Sequence, residues 1–218
     1  MTFAPPPPEG PSLAERAAGR STADLVAARA AEAQTLMDAG TAVMVRHGTT
    51  RRATVSEIVR ESGLSNQAFY RHFRGKDDLV AALVDAGARR LVGYLRHQME
   101  AFDDPADQLR AWIRGLLSQA TDPKVAQPTR AVMWNRTTLA ADQETEARAA
   151  ESLVWSLLEP PLQALGSRRP ETDAYFVGRA VFGVLNDALQ APEPPTLDDL
   201  SFVEELCLAA VTGSADRS

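Results

Sequence analysis

The sequence predicts an all-α protein, and three observations lead to this prediction. Apolar residues recur every three or four positions over most of the chain, which is the period of an amphipathic helix. Nowhere along the 218 residues do apolar and polar residues alternate as they do in a half-buried strand. Proline, glycine and helix-capping residues stand at the ends of the periodic segments, where one helix would stop and the next begin.

The N-terminal region divides into an arm and a long helical segment. Four prolines, Pro5 to Pro8, cannot donate backbone hydrogen bonds, so we predict a disordered arm over residues 1–20. Residues 21–47 are rich in alanine and contain no proline, and Gly48 follows. This composition predicts one long helix or two abutting ones that end before Gly48.

Two short helices follow, joined by about three residues that include a glycine. Thr54 is expected to cap the first helix, with Glu57 at its third position completing a capping box. Ser65 is expected to cap the second, in which Phe69 and Phe73 share one face. Two short helices with such a link have the sequence shape of a helix-turn-helix.

The remainder of the chain is predicted to be helical to its end. Pro105, for example, opens a segment whose apolar residues keep a helical period over three turns. The expected helices are a long one after Gly75, one from Pro105, a short one over residues 129–139, and three over about 142–158, 170–189 and 196–211. They would form a C-terminal bundle over residues 81–213, followed by a tail at 214–218.

One of these helices, Ala174 to Leu189, is apolar nearly all round. A helix that is hydrophobic on every side is buried on every side, and its second partner could be another subunit. We therefore expect this helix and the last one to form a homodimer through a four-helix bundle. The residues expected at that interface are Phe176, Gly178, Val181, Phe182, Leu185, Leu206 and Ala210.

The stretch TVSEIVRESGLSNQAFYRHFRGKDDL, residues 54–79, resembles the signature of TetR-type (TetR/AcrR) transcriptional regulators. The segment Leu36 to Gly48 resembles the first helix of that family, so the similarity covers about residues 36–80. It implies a three-helix DNA-binding domain, here placed at residues 21–80 with a helical extension. It also implies a dimeric regulator, most simply a repressor, that binds operator DNA and is released by a small lipophilic effector.

The second helix of such a motif lies in the major groove with its N-terminal residues toward the bases. The amides of Asn66 and Gln67 can donate to and accept from base edges. In the family, the positions of Thr54, Tyr70 and Lys76 hold the phosphate backbone, as hydroxyl and ammonium groups near helix N-termini can do. The DNA-binding residues implied by the resemblance are Thr54, Ser65, Asn66, Gln67, Tyr70, Arg71, His72 and Lys76.

Two features depart from the family pattern. The loop at residues 49–53 is one residue longer than usual, and its Arg51 and Arg52 could contact phosphate or simply be solvated. The helical region before Leu36 starts further upstream than usual and carries Arg16, Arg20 and Arg29. We expect this arm to strengthen DNA binding through the backbone or the minor groove.

Aromatic and methionine side chains in the middle of the chain are open to two interpretations. Taken singly, each is more often plain core. As a group they favour an effector pocket, because the corresponding helices of TetR-type proteins enclose one and a lipophilic pocket needs such a lining. The expected lining residues are Trp112, Leu116, Met133, Trp134, Asn135 and Trp155, with Asn135 or Arg136 as a polar anchor.

Several function classes are disfavoured by composition. With one cysteine, Cys207, and three scattered histidines, we expect no metal site and no cofactor. An enzyme would need a catalytic constellation that the sequence does not show. No segment resembles a membrane span or a signal peptide, so a cytoplasmic protein is expected. The alternative that stays open is a helical ligand-binding or protein-interaction module that has lost DNA binding.

The charge distribution favours DNA binding, although the net charge of −6 does not. Residues 1–80 contain 10 basic and 9 acidic residues, whereas residues 81–218 contain 13 and 20. Between Arg46 and Lys76 there are seven basic residues and two acidic ones. The acidity therefore belongs to the C-terminal region, and the predicted motif is basic.

Overall fold

The protein is helical throughout the part of the chain that its computed structural model describes, residues 13–137, 139–191 and 195–215. The predicted all-α class is thus confirmed. The helices are α1 Leu13–His47, α2 Val55–Ser62, α3 Asn66–His72, α4 Lys76–Met99, α5 Pro105–Thr121, α6 Pro123–Arg136, α7 Ala141–Trp155, α8 Glu159–Ala164, α9 Pro170–Gln190 and α10 Leu197–Ala215, with a 3₁₀ turn at Ser156–Leu158.

The N-terminal region forms one helix rather than two. Helix α1 has 35 residues and is about 52 Å long at 1.5 Å per residue. It begins at Leu13, so the predicted disordered arm of residues 1–20 is helical over its last eight positions, and residues 1–12 lie outside the described ranges. The reason is compositional, because alanine favours the helix and no proline interrupts residues 13–47.

Helices α2 and α3 form the predicted helix-turn-helix. The Thr54 side chain accepts a hydrogen bond from the Glu57 backbone, and the Glu57 carboxylate accepts one from the Thr54 backbone, which confirms the capping box. Gly63 ends α2 with a φ of 68°, a left-handed conformation that suits glycine. Ser65 then caps α3, and Phe69 enters the core between α1, α2 and α4.

Helix α6 is longer than predicted and starts earlier. The sequence suggested a break at Pro128 and a short helix over residues 129–139, whereas α6 runs unbroken from Pro123 to Arg136. Pro128 lies in its second turn, where the missing N–H leaves only the carbonyl of Lys124 without its intrahelical donor. Lys124 is exposed, so water can replace that donor at small cost.

Two hydrophobic cores exist, but the chain does not divide cleanly between them. The N-terminal core contains Leu36, Ile58, Phe69 and Leu79 together with Ala131 from α6. The C-terminal core is built by α4, α5, α7, α9 and α10. The predicted boundary at residue 80 falls inside α4, and α6 packs back against the N-terminal helices.

Helix α9 packs much of its apolar surface against other helices of its own subunit. Val181 and Leu185 are buried in the C-terminal core, and Gly178 lies under the ring of Trp155. These three residues were predicted at a dimer interface and do not face outward. Of the other α9 positions, Phe182 is half-buried and Phe176 is exposed. The all-round apolar sequence is therefore explained mainly by packing within one chain.

Helix α10 docks through an ion pair that sequence reasoning missed. Glu204 is buried, and its two carboxylate oxygens accept hydrogen bonds of 2.6 and 2.8 Å from Arg114 on α5. Glu204, Cys207 and Val211 share the inward face of α10, whereas Leu206 and Ala210 are exposed. The predicted tail at 214–218 is helical to Ala215, and its last three residues lie outside the described ranges.

We expect Gly178→Ala to destabilise the protein. A Cβ atom at this position would lie 2.5 Å from a carbon of the Trp155 ring, so the ring must move. Overpacking of this kind costs about 1–3 kcal/mol in the free energy of unfolding, measured by urea denaturation. Gly93→Ala is the control, because a Cβ there meets nothing within 4 Å and should gain up to about 1 kcal/mol of helix propensity. Equal stability of the two variants would contradict the close packing.

Candidate nucleic-acid interface and ligand cavity

The N-terminal turn of α3 presents polar side chains to solvent. Ser65, Asn66 and Gln67 are exposed, whereas Ala68 and Phe69 face the core. One turn further on, Tyr70 is 59% exposed, and its ring lies edge to face with that of Phe69 at 5.4 Å between centroids. The structure thus brings four of the sequence-predicted DNA-binding residues onto one exposed face.

Thr54 and Lys76 lie at the N-termini of α2 and α4, which are the helices before and after α3 in the sequence. The Thr54 hydroxyl donates to the Glu57 carboxylate at 2.8 Å. The Lys76 ammonium lies 3.2 Å from a carboxylate oxygen of Asp77. Helix N-termini attract anions because their first N–H groups lack intrahelical acceptors. Both residues are therefore placed where a backbone phosphate is favourable.

Glu57 organises the start of α2. A hydrogen bond from Arg51 and a further one from the Thr54 hydroxyl lower the pKa of the Glu57 carboxyl to about 2. Because this pKa lies below the ordinary value of 4.5, the stabilisation is complete above that pH and is lost only as the pH falls through about 2. Arg51, which the sequence left open as a phosphate contact, lies 2.7 Å from this carboxylate.

Two predicted DNA-binding residues face α1. The carboxylate of Glu32 accepts a hydrogen bond of 2.9 Å from Arg71 and lies 3.0 Å from Nε2 of His72. The hydrogen bond with His72, followed by the charge of Arg71, lowers the pKa of Glu32. Glu32 belongs to the extension of α1 and lies about 40 positions away in sequence, so no local pattern indicated it.

Two other cations of the motif, Arg46 and Arg74, are also paired. Arg46 donates to Glu61 at 2.7 Å, and Arg74 donates to Asp78 at 2.8 Å. Pairs between exposed side chains contribute about 0–1 kcal/mol. Phosphate oxygens can therefore replace these carboxylates without a large loss of stability.

Arg52 joins the N-terminal helices to α6. Its Nη1 atom donates to the backbone carbonyls of Trp134 and Asn135 at 3.2 and 3.3 Å, and Nη2 donates to the Thr137 hydroxyl at 3.2 Å. The guanidinium carbon lies 4.5 Å from the centroid of the Trp134 ring, a cation–π geometry. Arg52 is thus neither simply solvated nor directed to a phosphate, which were the two alternatives considered from the sequence.

A cavity of about 730 Å³ lies between α1, α4, α5, α6, α7 and α9. Its volume falls within the range of small-molecule sites. Of the residues predicted to line a pocket, Leu116, Met133 and Trp155 do so. Exposed Gln34 and Asp38 of α1 also line it, so the cavity extends as far as a helix of the N-terminal core.

The other three predicted lining residues lie elsewhere. Trp112 is fully buried in the core, and its Nε1 donates to the Val154 carbonyl at 3.0 Å. Asn135 is fully buried and donates to the Ala131 carbonyl at 2.9 Å. The Arg52 guanidinium lies over the ring of Trp134, and Trp134 does not line the cavity. Helical spacing indicates that these side chains are buried but does not show on which side of the helix the cavity lies.

A buried ion cluster adjoins the cavity. Arg136, considered from the sequence as a polar anchor for a ligand, instead binds Glu144 at 3.0 Å and also binds Glu151. The hydrogen bond from Arg136 lowers the pKa of Glu144. Glu151 lines the cavity and was missed by sequence reasoning. Its spacing of seven residues from Glu144 was the available signal, because it places both carboxylates on one face of α7.

Within the described ranges, no group of three or more histidine, cysteine, aspartate or glutamate side chains is arranged to hold a metal ion. In the same residues, no helix is both long and apolar enough to cross a membrane.

Comparison with known proteins gives a family match for the N-terminal part of the chain. Residues 36–83 match the family model of bacterial regulatory proteins of the tetR family. Among curated protein sequences none gives a match.

Solved structures resemble most of the chain. A transcriptional regulator from Rhodococcus sp. Rha1 is 24% identical, with a TM-score of 0.64 over 85% of this chain and 98% of that one. FadR from Bacillus subtilis, in complex with stearoyl-CoA, is 16% identical, with a TM-score of 0.59 over 82% and 97%. SmeT, the repressor of the Stenotrophomonas maltophilia multidrug efflux pump SmeDEF, is 21% identical, with a TM-score of 0.54 over 84% and 89%. At these identities the likeness concerns the fold.

Proposed function

We propose that this chain, whose residues 36–83 match the tetR family model, is a DNA-binding transcriptional regulator. It acts as a repressor whose homodimer binds a palindromic operator and leaves it when a small lipophilic effector enters the cavity. SmeT is described as a repressor, and FadR from Bacillus subtilis binds stearoyl-CoA. Both share the fold, which supports a repressor with a lipophilic ligand.

The observation that carries this proposal is the continuity of α4. The helix begins with Lys76 beside the helix-turn-helix and runs without interruption to Met99. In its middle, Leu83, Ala88 and Leu91 line the cavity. A ligand that displaces these side chains therefore moves a rigid helix whose first turn belongs to the DNA-binding surface. Such a shift would change the spacing of the two recognition helices of a dimer.

Helix α6 gives the cavity a second connection to the DNA-binding helices. Met133 of α6 lines the cavity, while Ala131 is buried in the N-terminal core. Two backbone carbonyls at the C-terminal end of α6 accept hydrogen bonds from Arg52. Arg52 lies two residues before Thr54, a proposed phosphate contact. We therefore assign Arg52 the role of transmitting a displacement of α6 to the start of α2.

The proposed dimer uses the exposed apolar side chains of α9 and α10. Phe176, Phe202 and Leu206 are large, apolar and exposed, an arrangement that marks an interaction surface. Of the interface residues predicted from sequence, Phe176, Leu206 and Ala210 remain in this proposal, and Gly178, Val181 and Leu185 are excluded by their burial within the subunit.

We expect Tyr70→Phe and Lys76→Ala to weaken binding to all DNA sequences alike, and Gln67→Ala to alter base preference. The first two remove phosphate contacts, each worth about a tenfold change in affinity, whereas Gln67 would face base edges. Fluorescence anisotropy on DNA from upstream of the gene, and on copies with single base changes, measures both quantities.

Arg96→Ala is the matched control for Lys76→Ala. It removes one positive charge from an exposed position of α4 that is about 30 Å along the helix from Lys76. We expect this variant to bind as the unmodified protein does. If all three interface variants lost base preference equally, the assignment of backbone and base roles would be wrong.

One observation favours the alternative, a helical ligand-binding module without DNA binding. The cations Arg46, Arg51, Arg71, Arg74 and Lys76 are each within ion-pair distance of a carboxylate, which reduces the positive field of the motif. The salt dependence of binding separates the two functions. A dimer that contacts about six to ten phosphates loses affinity steeply with salt, whereas a protein without DNA binding shows no slope.

A further inference from the structure

Glu32 is the residue at which the N-terminal extension of α1 contacts α3. Its Oε2 atom accepts a hydrogen bond of 2.9 Å from Nη1 of Arg71 and lies 3.0 Å from Nε2 of His72. Among the side chains of α1 that the structure describes, those of residues 23–31 are exposed, and Glu32 is the first that is partly buried. The match to the family model begins only at residue 36, so this contact is made by a segment that precedes the match.

Arg71 lies on the face of α3 that is proposed to meet DNA. It follows Gln67 by four positions, and residues four apart share one side of a helix. Its side chain is 44% exposed, and a guanidinium is well suited to binding phosphate. This guanidinium is nevertheless paired with Glu32 of another helix. A cation placed near the expected DNA surface is therefore already neutralised within the protein.

Two donors hold the Glu32 carboxylate in place. An ionised carboxylate only accepts hydrogen bonds, so Nε2 of His72 carries the proton of their hydrogen bond. The His72 side chain is only 12% exposed, which shields this donor from a phosphate. The same hydrogen bond, followed by the charge of Arg71, lowers the pKa of Glu32 and keeps its carboxylate ionised at neutral pH. A phosphate that approaches Arg71 therefore meets a fixed negative charge beside it.

We propose that Glu32 limits the affinity for DNA by occupying Arg71, which makes the contact between the α1 extension and α3 autoinhibitory. The pairing removes one phosphate contact from each subunit, and a phosphate contact carries no sequence information. Its effect is opposite in sign to that expected for the arginines of the same extension. This inference rests on the proposed function, because such a contact matters only in a protein that binds DNA.

The first test is Glu32→Gln, which keeps the side-chain shape, removes the charge and frees Arg71 for a phosphate. We expect the affinity for a random-sequence duplex of about 24 base pairs to rise at least about fivefold, and the slope of log affinity against log salt to steepen by about 0.9 for each bound subunit. DNA from upstream of the gene should gain by the same factor. Fluorescence anisotropy at several salt concentrations measures these quantities. An unchanged or lower affinity would overturn the proposal.

A double-mutant cycle locates the gain at Arg71. Arg71→Ala in the otherwise unmodified protein is expected to change DNA affinity less than about twofold, because Glu32 already occupies this side chain. In the Glu32→Gln protein, the same substitution is expected to remove the gain. A gain that persists without Arg71 would show that the charge of Glu32 acts on DNA directly, which contradicts the proposal.

Asp24→Asn is the matched control for Glu32→Gln. It removes the same charge from an exposed position of α1, about 12 Å along the helix from Glu32. We expect its DNA affinity to stay within about twofold of that of the unmodified protein. An equal gain from both variants would show that the net charge of the extension, and not the pairing with Arg71, limits binding.

The unmodified protein separates failure of this inference from failure of the proposed function. If it binds neither the random duplex nor the upstream DNA, the DNA-binding function and the autoinhibitory contact are both wrong. If it binds DNA and Glu32→Gln brings no gain, the regulator function stands and only the role of Glu32 is wrong.

Discussion

Phe176→Glu combined with Leu206→Glu is expected to turn the proposed homodimer into a monomer and to weaken operator binding by at least about 100-fold. The two side chains are 63% and 58% exposed in the single chain. Burying a side chain of this size stabilises an interface by about 1.5–3 kcal/mol. In a two-fold symmetric dimer each of these side chains is buried twice, once from each subunit. A monomer can hold only one half-site. Sedimentation velocity reports the oligomeric state, and fluorescence anisotropy reports DNA affinity.

Leu153→Glu provides the matched control for this experiment. Leu153 is also an exposed leucine, 40% accessible, but it belongs to α7. Introducing a carboxylate there should leave both the dimer and the DNA affinity unchanged. A double variant at 176 and 206 that still sediments as a dimer would place the interface elsewhere on the molecule.

Arg52→Ala is expected to separate ligand binding from DNA release. The change removes the guanidinium that binds the carbonyls of Trp134 and Asn135. Operator affinity without ligand should change less than about threefold, whereas the factor by which ligand weakens it should fall from about 10–100 to below about 3. The measurement is an anisotropy titration in the presence and absence of decan-1-ol as a lipophilic probe, with calorimetry to verify that binding of the probe itself persists.

Arg51→Ala is the control for Arg52→Ala. It removes the same charge from the neighbouring residue, but Arg51 pairs with Glu57 inside the helix-turn-helix and not with α6. We expect this variant to respond to ligand as the unmodified protein does. An Arg52→Ala protein with a full response would show that the displacement of α4 alone is sufficient for release.

Local features of the fold could be predicted from sequence because their causes are local. The capping box at Thr54 needs one hydroxyl and one carboxylate three residues later, and it forms. Gly63 marks the left-handed end of α2, and the period that pairs Phe69 with Phe73 places both in the core. Each of these signals lies within a few residues of the structure that it specifies.

Contacts between distant segments could not be predicted in the same way. The apolar sequence of α9 shows that it is buried, but only the close approach of Gly178 to Trp155 shows that its partner is its own subunit. The partners of Arg52 and of Arg71 lie tens of residues away. Glu151 is an ordinary helical glutamate in the sequence, and its position in the cavity wall depends on how α7 packs against α4 and α9.

The burial of Ala131 in the N-terminal core has a consequence for folding. The similarity to the tetR family ends at residue 83, yet the core of that domain is closed by a residue of α6, nearly 50 positions later. A fragment ending at residue 83 would expose the apolar surface that Ala131 covers. We therefore expect the helix-turn-helix region to unfold together with the bundle that surrounds the cavity and not as an independent unit. A ligand that stabilises the bundle would protect the amide protons of the helix-turn-helix from exchange as well.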